Sequence, residues 1–342
     1  MAKNRTIKHS FLNKVLVEKE KSYVSNREGW RLEVKRSSIS EKLNKKRRPL
    51  LILPGYGMNS FIFGYHPTGL AMEDFFAHEG FEVWSANLRG QGGSKKIQGD
   101  SHITLKDFGV TDLSVVLHYI LQHTHTKAQK VDVIGCSLGG TIAYVYLALV
   151  KKNLLGSVVA MGAPLRWEKK PLILEIMSKS PTLLRYLPFR NVRRIAKMLA
   201  PLIVRFPSII HLYLHPEFIS QEHIDVMLEV VDDPNRFLNE EIAQWVNNKD
   251  LMIDGKNIIQ ELRRVTNPFL CLIGNSDGIV PSDTALSAYE VMGSEMKDIL
   301  VVGDDHVKFA HADMFVSDYA QEMVFLPVAQ WLKRQYSGRT SK

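Results

Sequence analysis

The sequence is poor in cysteine and has no long apolar run. Cys136 and Cys271 are the two cysteines among 342 residues, which argues against a disulfide framework and predicts a reducing, cytoplasmic setting. Nowhere does the chain approach the roughly 20 uninterrupted apolar residues that cross a membrane. The basic residues at 1–5 are not followed by the apolar segment of a signal peptide, because polar and charged residues interrupt positions 8–14. We therefore expect a cytoplasmic protein.

Motifs for metal, nucleotide and dinucleotide binding are also missing. The chain contains no G-x-x-x-x-G-K-[ST], no G-x-G-x-x-G, no H-E-x-x-H and no closely spaced cysteine pair. Each of these patterns positions a phosphate or a metal ion through a defined local geometry. The sequence therefore predicts neither a cofactor nor a metal site.

Positive charge exceeds negative charge without forming a pattern typical of nucleic-acid binding. Lys and Arg number 44 against 36 Asp and Glu, a formal net charge of +8. The longest basic run, Lys45–Arg48, precedes a predicted strand and has no interleaved aromatic residue, which favours an exposed loop and no nucleic-acid partner. The surplus charge is compatible with peripheral contact to an anionic membrane. Composition leaves the oligomeric state open.

Short apolar runs alternate with helical patterns along the chain, which predicts an α/β fold with a mostly parallel sheet. Two runs around Glu28-Gly29 form an N-terminal hairpin, and six further runs lack strict alternation, as is typical of strands buried on both faces. Together they predict eight strands. The runs are Tyr23–Ser25, Trp30–Val34, Leu50–Leu53, Phe81–Ala86, Val131–Ile134, Val158–Met161, Phe269–Ile273 and Ile299–Val302.

The long stretch between Met161 and Phe269 has no convincing strand, and its prolines divide it into short helical patterns. We expect a helical cap at 165–266, inserted between core segments 1–164 and 267–342. Ser220 and Asn239 are candidate N-caps of its helices. An insertion at this point lies above the strand ends, where loops build sites. The alternative is a second structural layer without a role at the site.

The sequence Gly135-Cys136-Ser137-Leu138-Gly139 fits the nucleophile-elbow pattern G-x-S-x-G. It stands between a predicted strand and a predicted helix, and a turn this tight exposes its central side chain. Ser137 is therefore the candidate nucleophile, with an ordinary structural turn as the alternative. Cys136, which directly precedes the central residue of the elbow, is expected to point into the core.

A serine nucleophile needs a base, a carboxylate that orients the base, and donors for the oxyanion. Asp277 follows a predicted strand and is the candidate acid; the alternative is a turn-forming aspartate, and Asp283 is expected to cap the next helix. Spacing alone leaves His306 and His311 open as the base.

The candidate oxyanion donors are two backbone amides. One is the N–H of Leu138, directly after the nucleophile, and the other is the N–H of Tyr56 in the glycine-containing loop that follows the third predicted strand. The alternative for that loop is a flexible turn.

Residues 23–335 resemble the α/β-hydrolase superfamily, and within it the acid-lipase-like and polyhydroxyalkanoate-synthase-like hydrolases. The segment Phe81–Gly90 is similar to a strand motif of those lipases, and His311–Phe315 is similar to their H-x-D ending. The resemblance implies His311 as the base and a lid after the sixth strand. The sequence departs from the family pattern at two points. Pro54-Gly55 stands in the oxyanion loop where His-Gly is usual, and Ser137 stands at the centre of the elbow where the polyhydroxyalkanoate synthases have cysteine. Serine at position 137 also disfavours the haloalkane dehalogenases and epoxide hydrolases of this fold, which have aspartate at the elbow.

These residues predict a serine hydrolase that cleaves a carboxylic ester through Ser137, His311 and Asp277. The expected partner is a small hydrophobic acyl ester. Two alternatives remain: acyl transfer to an acceptor other than water, and a non-catalytic hydrolase fold used for binding. The presence of all three triad residue types argues against the second alternative.

Overall fold

The computed structural model describes residues 16–99, 101–186, 190–203, 211–218 and 224–337. Within these ranges, no helix combines the length and apolar character needed to cross a membrane.

Strands in the described residues form one large mixed sheet and a separate two-stranded ribbon. The strands are β1 (Glu18–Ser25), β2 (Trp30–Ser38), β3 (Leu50–Leu53), β4 (Val83–Asn87), β5 (Lys95–Lys96), β6 (Val131–Cys136), β7 (Leu155–Met161), β8 (Met252–Ile253), β9 (Lys256–Asn257), β10 (Phe269–Gly274) and β11 (Lys297–Val302).

The large sheet has a continuous path of eight strands, in the order β1-β2-β4-β3-β6-β7-β10-β11. β2 is antiparallel to β1, β4 and the short β5, and the remaining pairs along the path are parallel. β8 and β9 pair only with each other. This topology confirms the predicted mostly parallel sheet of the α/β-hydrolase type.

Helices cover the sheet and fill the connections between its strands. They are α1 (Met72–His78), α2 (Leu113–His123), α3 (Leu138–Leu149), α4 (Leu172–Ser178), α5 (Pro181–Tyr186), α6 (Val192–Ile203), α7 (Ile224–Met227), α8 (Arg236–Asn248), α9 (Ile258–Leu262), α10 (Ser282–Val291), α11 (Asp313–Val316) and α12 (Leu326–Ser337).

The centre of the sheet carries the candidate nucleophile. All residues of β6 are buried, and β3 and β7 flank it on either side in parallel register. The helix that follows, α3, is buried around almost its whole circumference, as expected for a helix that is apolar on all faces. The turn between β6 and α3 is therefore held by packing on every side.

The β11 edge of the sheet is more exposed than the sequence predicted. Ile299 and Val301 of β11 are 44% and 57% exposed, so the prediction that this run is buried on both faces is wrong. β11 ends the sheet path, and an edge strand has a neighbour on one side only.

Residues 165–266, the predicted cap, contain helices α4 to α9 in their described parts. α8 packs against α4 and α5, whereas α9 packs against α3 of the core. Asn235, not Asn239, is the N-cap of α8, and its side-chain oxygen accepts the Phe237 and Leu238 amides. The prediction of Asn239 as a cap is wrong because the helix starts one turn earlier. Ser220 lies outside the described residues.

Candidate active site

Ser137 stands at a strained turn between β6 and α3. Its φ of 52° and ψ of −122° are unusual for a residue with a side chain, and such conformations persist where the surrounding structure imposes them. A Cβ on Gly135 would lie 2.5 Å from Gly140 Cα, and one on Gly139 would lie 2.5 Å from the Leu53 carbonyl oxygen. The flanking glycines are therefore required by close backbone contacts, as the elbow pattern predicts.

Asp277 and His311 form a buried pair at the ends of β10 and β11. His311 Nδ1 lies 2.7 Å from Asp277 Oδ2, and the two side chains are 4% and 1% exposed. The other carboxylate oxygen, Oδ1, accepts the amides of Ile279 at 2.9 Å and Val280 at 2.8 Å. With Nδ1 donating to the carboxylate, Nε2 of His311 is the nitrogen that remains to accept a proton.

The peptide at Met161-Gly162 connects Ser137 to this pair. The amide of Ser137 donates to the Met161 carbonyl at 2.8 Å. A Cβ on Gly162, whose φ is +53°, would lie 3.2 Å from His311 Cε1 and 3.0 Å from Asp277 Oδ2. The imidazole ring of His311 and the elbow therefore both lie against this short segment.

His306 lies elsewhere, in an exposed turn after β11. Its backbone amide donates to Asp304 Oδ1 at 2.7 Å. The histidine in contact with Asp277 is His311, the residue that the resemblance favoured and that spacing alone left open.

Leu138 and Tyr56, the two predicted oxyanion donors, border the same cleft as Ser137. Leu138 is the first residue of α3, so its amide has no intrahelical acceptor. The loop of Tyr56 touches the nucleophile through Gly55, on which a Cβ would lie 3.0 Å from Ser137 Cβ. This close approach gives Gly55 a packing role beside the candidate nucleophile.

The side chain of Tyr56 makes a contact that the sequence did not reveal. Its hydroxyl donates to Oδ1 of Asn239 in α8, and burial raises the pKa of the Tyr56 hydroxyl above its usual value. The loop backbone is held to the cap as well, since Asn59 N donates to Val230 O at 3.0 Å and Asp232 N to Gly57 O at 2.9 Å. The loop of Tyr56 and the 165–266 insertion are thus joined directly.

A cleft beside Ser137 lies between the elbow and the 165–266 insertion. Its volume, including its open mouth, is about 690 Å³, within the range of small-molecule sites. No charged residue lies among the described residues that line it. The lining residues are Tyr56, Ser137, Leu138, Pro164, Trp167, Leu174, Ser178, Asn239, Ile242, Ala243, Trp245, Val246, Ile279 and Val280.

Comparison with known proteins identifies the family of this fold. The family model Hydrolase_4, described as serine aminopeptidase, S33, matches residues 45–303, which is more than half of the chain. The chain belongs to this α/β-hydrolase family. The resemblance read from the elbow and from the flanking segments is therefore confirmed. A search of curated proteins gave no match.

Solved α/β-hydrolase structures share the fold at low sequence identity. Bromoperoxidase from Bacillus anthracis superposes with a TM-score of 0.63 at 13% identity, over 92% of this chain and 100% of that one. An esterase from Exiguobacterium antarcticum gives 0.59 at 16%, over 91% and 99%. The 2-hydroxy-6-oxo-6-phenylhexa-2,4-dienoate hydrolase from Rhodococcus sp. strain RHA1 gives 0.63 at 17%, over 94% and 100%. At these identities the likeness establishes the fold alone.

In this α/β hydrolase, residues 211–215 of the cap form a strap between the loops of Asp277 and His311. The carbonyl of Leu212 accepts the Gly278 amide at 3.1 Å, and that of Tyr213 accepts the Ala312 amide at 2.7 Å. The strap thereby contacts the residue after Asp277 and the residue after His311. Sequence reasoning missed it, because nothing local marks such a contact.

The strap ends in a second histidine–aspartate pair. His215 Nδ1 lies 2.6 Å from Asp313 Oδ2, and the His215 amide donates to Asp313 Oδ1 at 3.0 Å. Asp313 also accepts the Ala310 amide at 2.8 Å. Burial raises the pKa of the Asp313 carboxyl, and the hydrogen bonds from His215 and Ala310 oppose that rise. The aspartate of the H-x-D segment was the available sequence signal for this pair.

Residues that could hold a metal ion do not cluster in the described part of the chain. Cys136 is buried, and burial raises the pKa of its thiol, which keeps it protonated and a poor nucleophile. Ser137 is therefore the elbow residue that is suited to attack.

Proposed function

We propose that this α/β hydrolase cleaves carboxylic esters, with Ser137 as nucleophile, His311 as base and Asp277 as the group that orients His311. The observation that carries the proposal is the buried 2.7 Å contact between His311 Nδ1 and Asp277 Oδ2, beside a serine held at φ 52°. A serine is a weak nucleophile at its free pKa and requires such a base.

The proposed reaction assigns one step to each of these groups. His311 Nε2 takes the proton of Ser137 Oγ as the oxygen attacks the ester carbonyl, and the amides of Leu138 and Tyr56 stabilise the oxyanion of the tetrahedral intermediate. The alcohol leaves with the proton from His311. Water, deprotonated by His311, then attacks the acyl-enzyme and releases the carboxylic acid and the free serine.

The lining of the cleft favours an ester with an uncharged acyl group. An aminopeptidase substrate carries a free ammonium group beside the scissile carbonyl, and burying such a charge without a partner is costly. The described residues that line the cleft supply no carboxylate to pair with it. Apolar side chains such as Ile242 and Val246 suit a carbon chain instead.

Labelling with a fluorophosphonate probe tests the proposal. The wild-type protein should be labelled, and Ser137→Ala should not, because the probe reacts only with an activated serine. A folded wild-type protein that takes up no label would refute the assignment of Ser137. Parallel assays with p-nitrophenyl butyrate and with an amino-acid p-nitroanilide would separate ester from aminopeptide cleavage, and we expect turnover of the ester.

A further inference from the structure

Helix α6 is attached to the rest of the insertion through its charged side. Arg193 Nη1 and Lys197 Nζ lie 2.8 Å and 2.6 Å from the two carboxylate oxygens of Glu229. At the start of the helix, the amide of Val192 donates to Asp233 Oδ1 at 2.8 Å. Ion pairs and hydrogen bonds therefore hold this side of α6 against its neighbours.

The apolar side of α6 faces away from these ion pairs. With about 100° between successive residues of a helix, Ile195, Met198 and Leu199 lie opposite the side that carries Arg193 and Lys197. The three apolar residues are 47%, 74% and 38% exposed, respectively. A surface helix normally buries its apolar stripe and exposes its charged residues. The arrangement in α6 is the reverse, and a continuous stripe differs from the single exposed apolar residues that are normal on a surface.

Positive charge borders this exposed stripe. Residues 190–203 contain four basic residues and no acidic one. Two of the four form the ion pairs with Glu229, and the other two, Arg190 and Arg194, are exposed. Arg194 directly precedes Ile195 and so lies at the border of the stripe. An apolar stripe bordered by basic residues is typical of a helix that lies in the interface of an anionic bilayer.

The start of α6 is close to the proposed active site. Asp233, which accepts the Val192 amide, also lines a space of about 350 Å³ that Tyr56 and Leu138 border. A molecule that binds along α6 therefore comes near the two residues whose amides are proposed to stabilise the oxyanion.

We propose that α6 docks on the surface of an anionic phospholipid bilayer. Ile195, Met198 and Leu199 enter the boundary between headgroups and acyl chains, and Arg190 and Arg194 contact the phosphate groups. The ion pairs on the opposite side of the helix stay intact on docking. The proposal goes beyond ester hydrolysis, because it locates the protein at a surface in which hydrophobic esters dissolve.

Sedimentation of the full-length protein with two kinds of vesicle tests the docking. One kind consists of phosphatidylcholine, and the other contains about 30% phosphatidylglycerol, which supplies the negative surface charge. We expect the partition coefficient to be at least about tenfold higher on the anionic vesicles at low ionic strength. High salt should remove most of that difference, because it screens exposed charges.

Two substitutions examine the apolar stripe and its charged border separately. Met198→Gln should weaken binding to the anionic vesicles by about tenfold, since a polar side chain replaces an apolar one at the boundary. Met296→Gln is its control, because Met296 is also exposed (58%) and lies just before β11. Arg194→Gln should weaken the same binding by about fivefold. Arg334→Gln, at an exposed position of α12, is its control, and both controls should bind within about twofold of the wild type.

Three results would overturn the proposal. The first is equal partition of the wild type onto the two kinds of vesicle, and the second is an equal loss in Met198→Gln and Met296→Gln. The third is absence of vesicle binding by a wild type that sediments as a dimer, with Met198→Gln a monomer, since a second copy then covers α6. Vesicle binding needs no turnover, so the same measurements in Ser137→Ala keep this proposal separate from ester hydrolysis.

Discussion

His215 of the cap and Asp313, two residues beyond His311, form a buried pair with 2.6 Å between Nδ1 and Oδ2. Asp313 also holds the Ala310 amide, so the pair fixes the backbone on both sides of the proposed base. Residue His215 of the 165–266 insertion therefore contributes to the position of His311 itself, and this contact can be tested.

Replacing His215 by alanine should slow catalysis while leaving Ser137 intact. We expect kcat to fall by about 10- to 100-fold, because small displacements of a reacting group have effects of this order. Loss of the side-chain hydrogen bond to the Asp313 carboxylate should also lower the free energy of unfolding by about 1.5–3 kcal/mol. Ester kinetics and urea unfolding measure the two effects. His118→Ala, at an exposed position of α2, is the control; equal losses in both variants would contradict a specific role for His215.

The choice between the two candidate bases has a direct test. His311→Ala should lower kcat by about 10⁴-fold or more, as loss of a triad member does. His306→Ala should change it by less than about twofold, since surface substitutions away from a site have small effects. Circular dichroism shows whether both variants fold. A large loss in His306→Ala alone would mean that the base is misassigned.

Ser137→Gly should stabilise the protein while removing activity. Glycine adopts φ 52° without strain, and a residue in a sparsely populated conformation costs about 1–3 kcal/mol. Part of the gain is lost to the greater freedom of glycine in the unfolded chain, so we expect about 1 kcal/mol more stability in urea unfolding. Ser137→Ala is the control because it keeps the Cβ and the strain. Equal stability of the two variants would argue against strain at the elbow.

Tyr56→Phe removes the side-chain hydroxyl and keeps the backbone amide, so it tests the two contributions separately. The proposed oxyanion donor is the backbone N–H, so kcat for a short ester should change by less than about threefold. The hydrogen bond to Asn239 is lost, which should weaken the contact between loop and cap by about 0.5–1.5 kcal/mol. Steady-state kinetics measure the first effect. A loss of about 10²-fold or more in kcat would show that the hydroxyl stabilises the oxyanion.

Glu241 makes stability depend on pH. Its Oε2 accepts the Leu105 amide at 2.7 Å, and burial raises the pKa of its carboxyl from 4.5 to about 7. Between these values the folded state keeps a proton that the unfolded state has released, so the free energy of unfolding falls as pH rises through this window. Glu241→Gln keeps the acceptor and removes the titration.

We expect Glu241→Gln to be more stable than the wild type by about 1–3 kcal/mol near pH 8, and equal to it near pH 4. Urea unfolding at several pH values measures the difference. Glu290→Gln, at an exposed position of α10, is the control variant. A difference between Glu241→Gln and wild type that stays constant with pH would exclude the titration as its cause.

The sequence predicted what is encoded locally and missed what depends on distant contacts. The apolar runs located the strands of the sheet, and the glycines around Ser137 marked the elbow, because backbone crowding there admits no side chain. Asn239 was assigned to a helix start because polar residues favour caps; its contact with Tyr56 links positions far apart in the chain. The strap at 211–215 is another such case, since its backbone hydrogen bonds leave no mark on residue type.

The strap also limits how hydrolases of this kind can be engineered by shortening or exchanging the insertion. Its carbonyls bridge the segments that carry Asp277 and His311, so residues 211–215 support the two proposed triad residues although they belong to the 165–266 insertion. A shortened protein that joins position 164 to position 267 would lose this bridge together with the lid. Transplanting a cap from another hydrolase would likewise require that the graft reproduce these backbone contacts, whatever acyl group its cleft was chosen to accept.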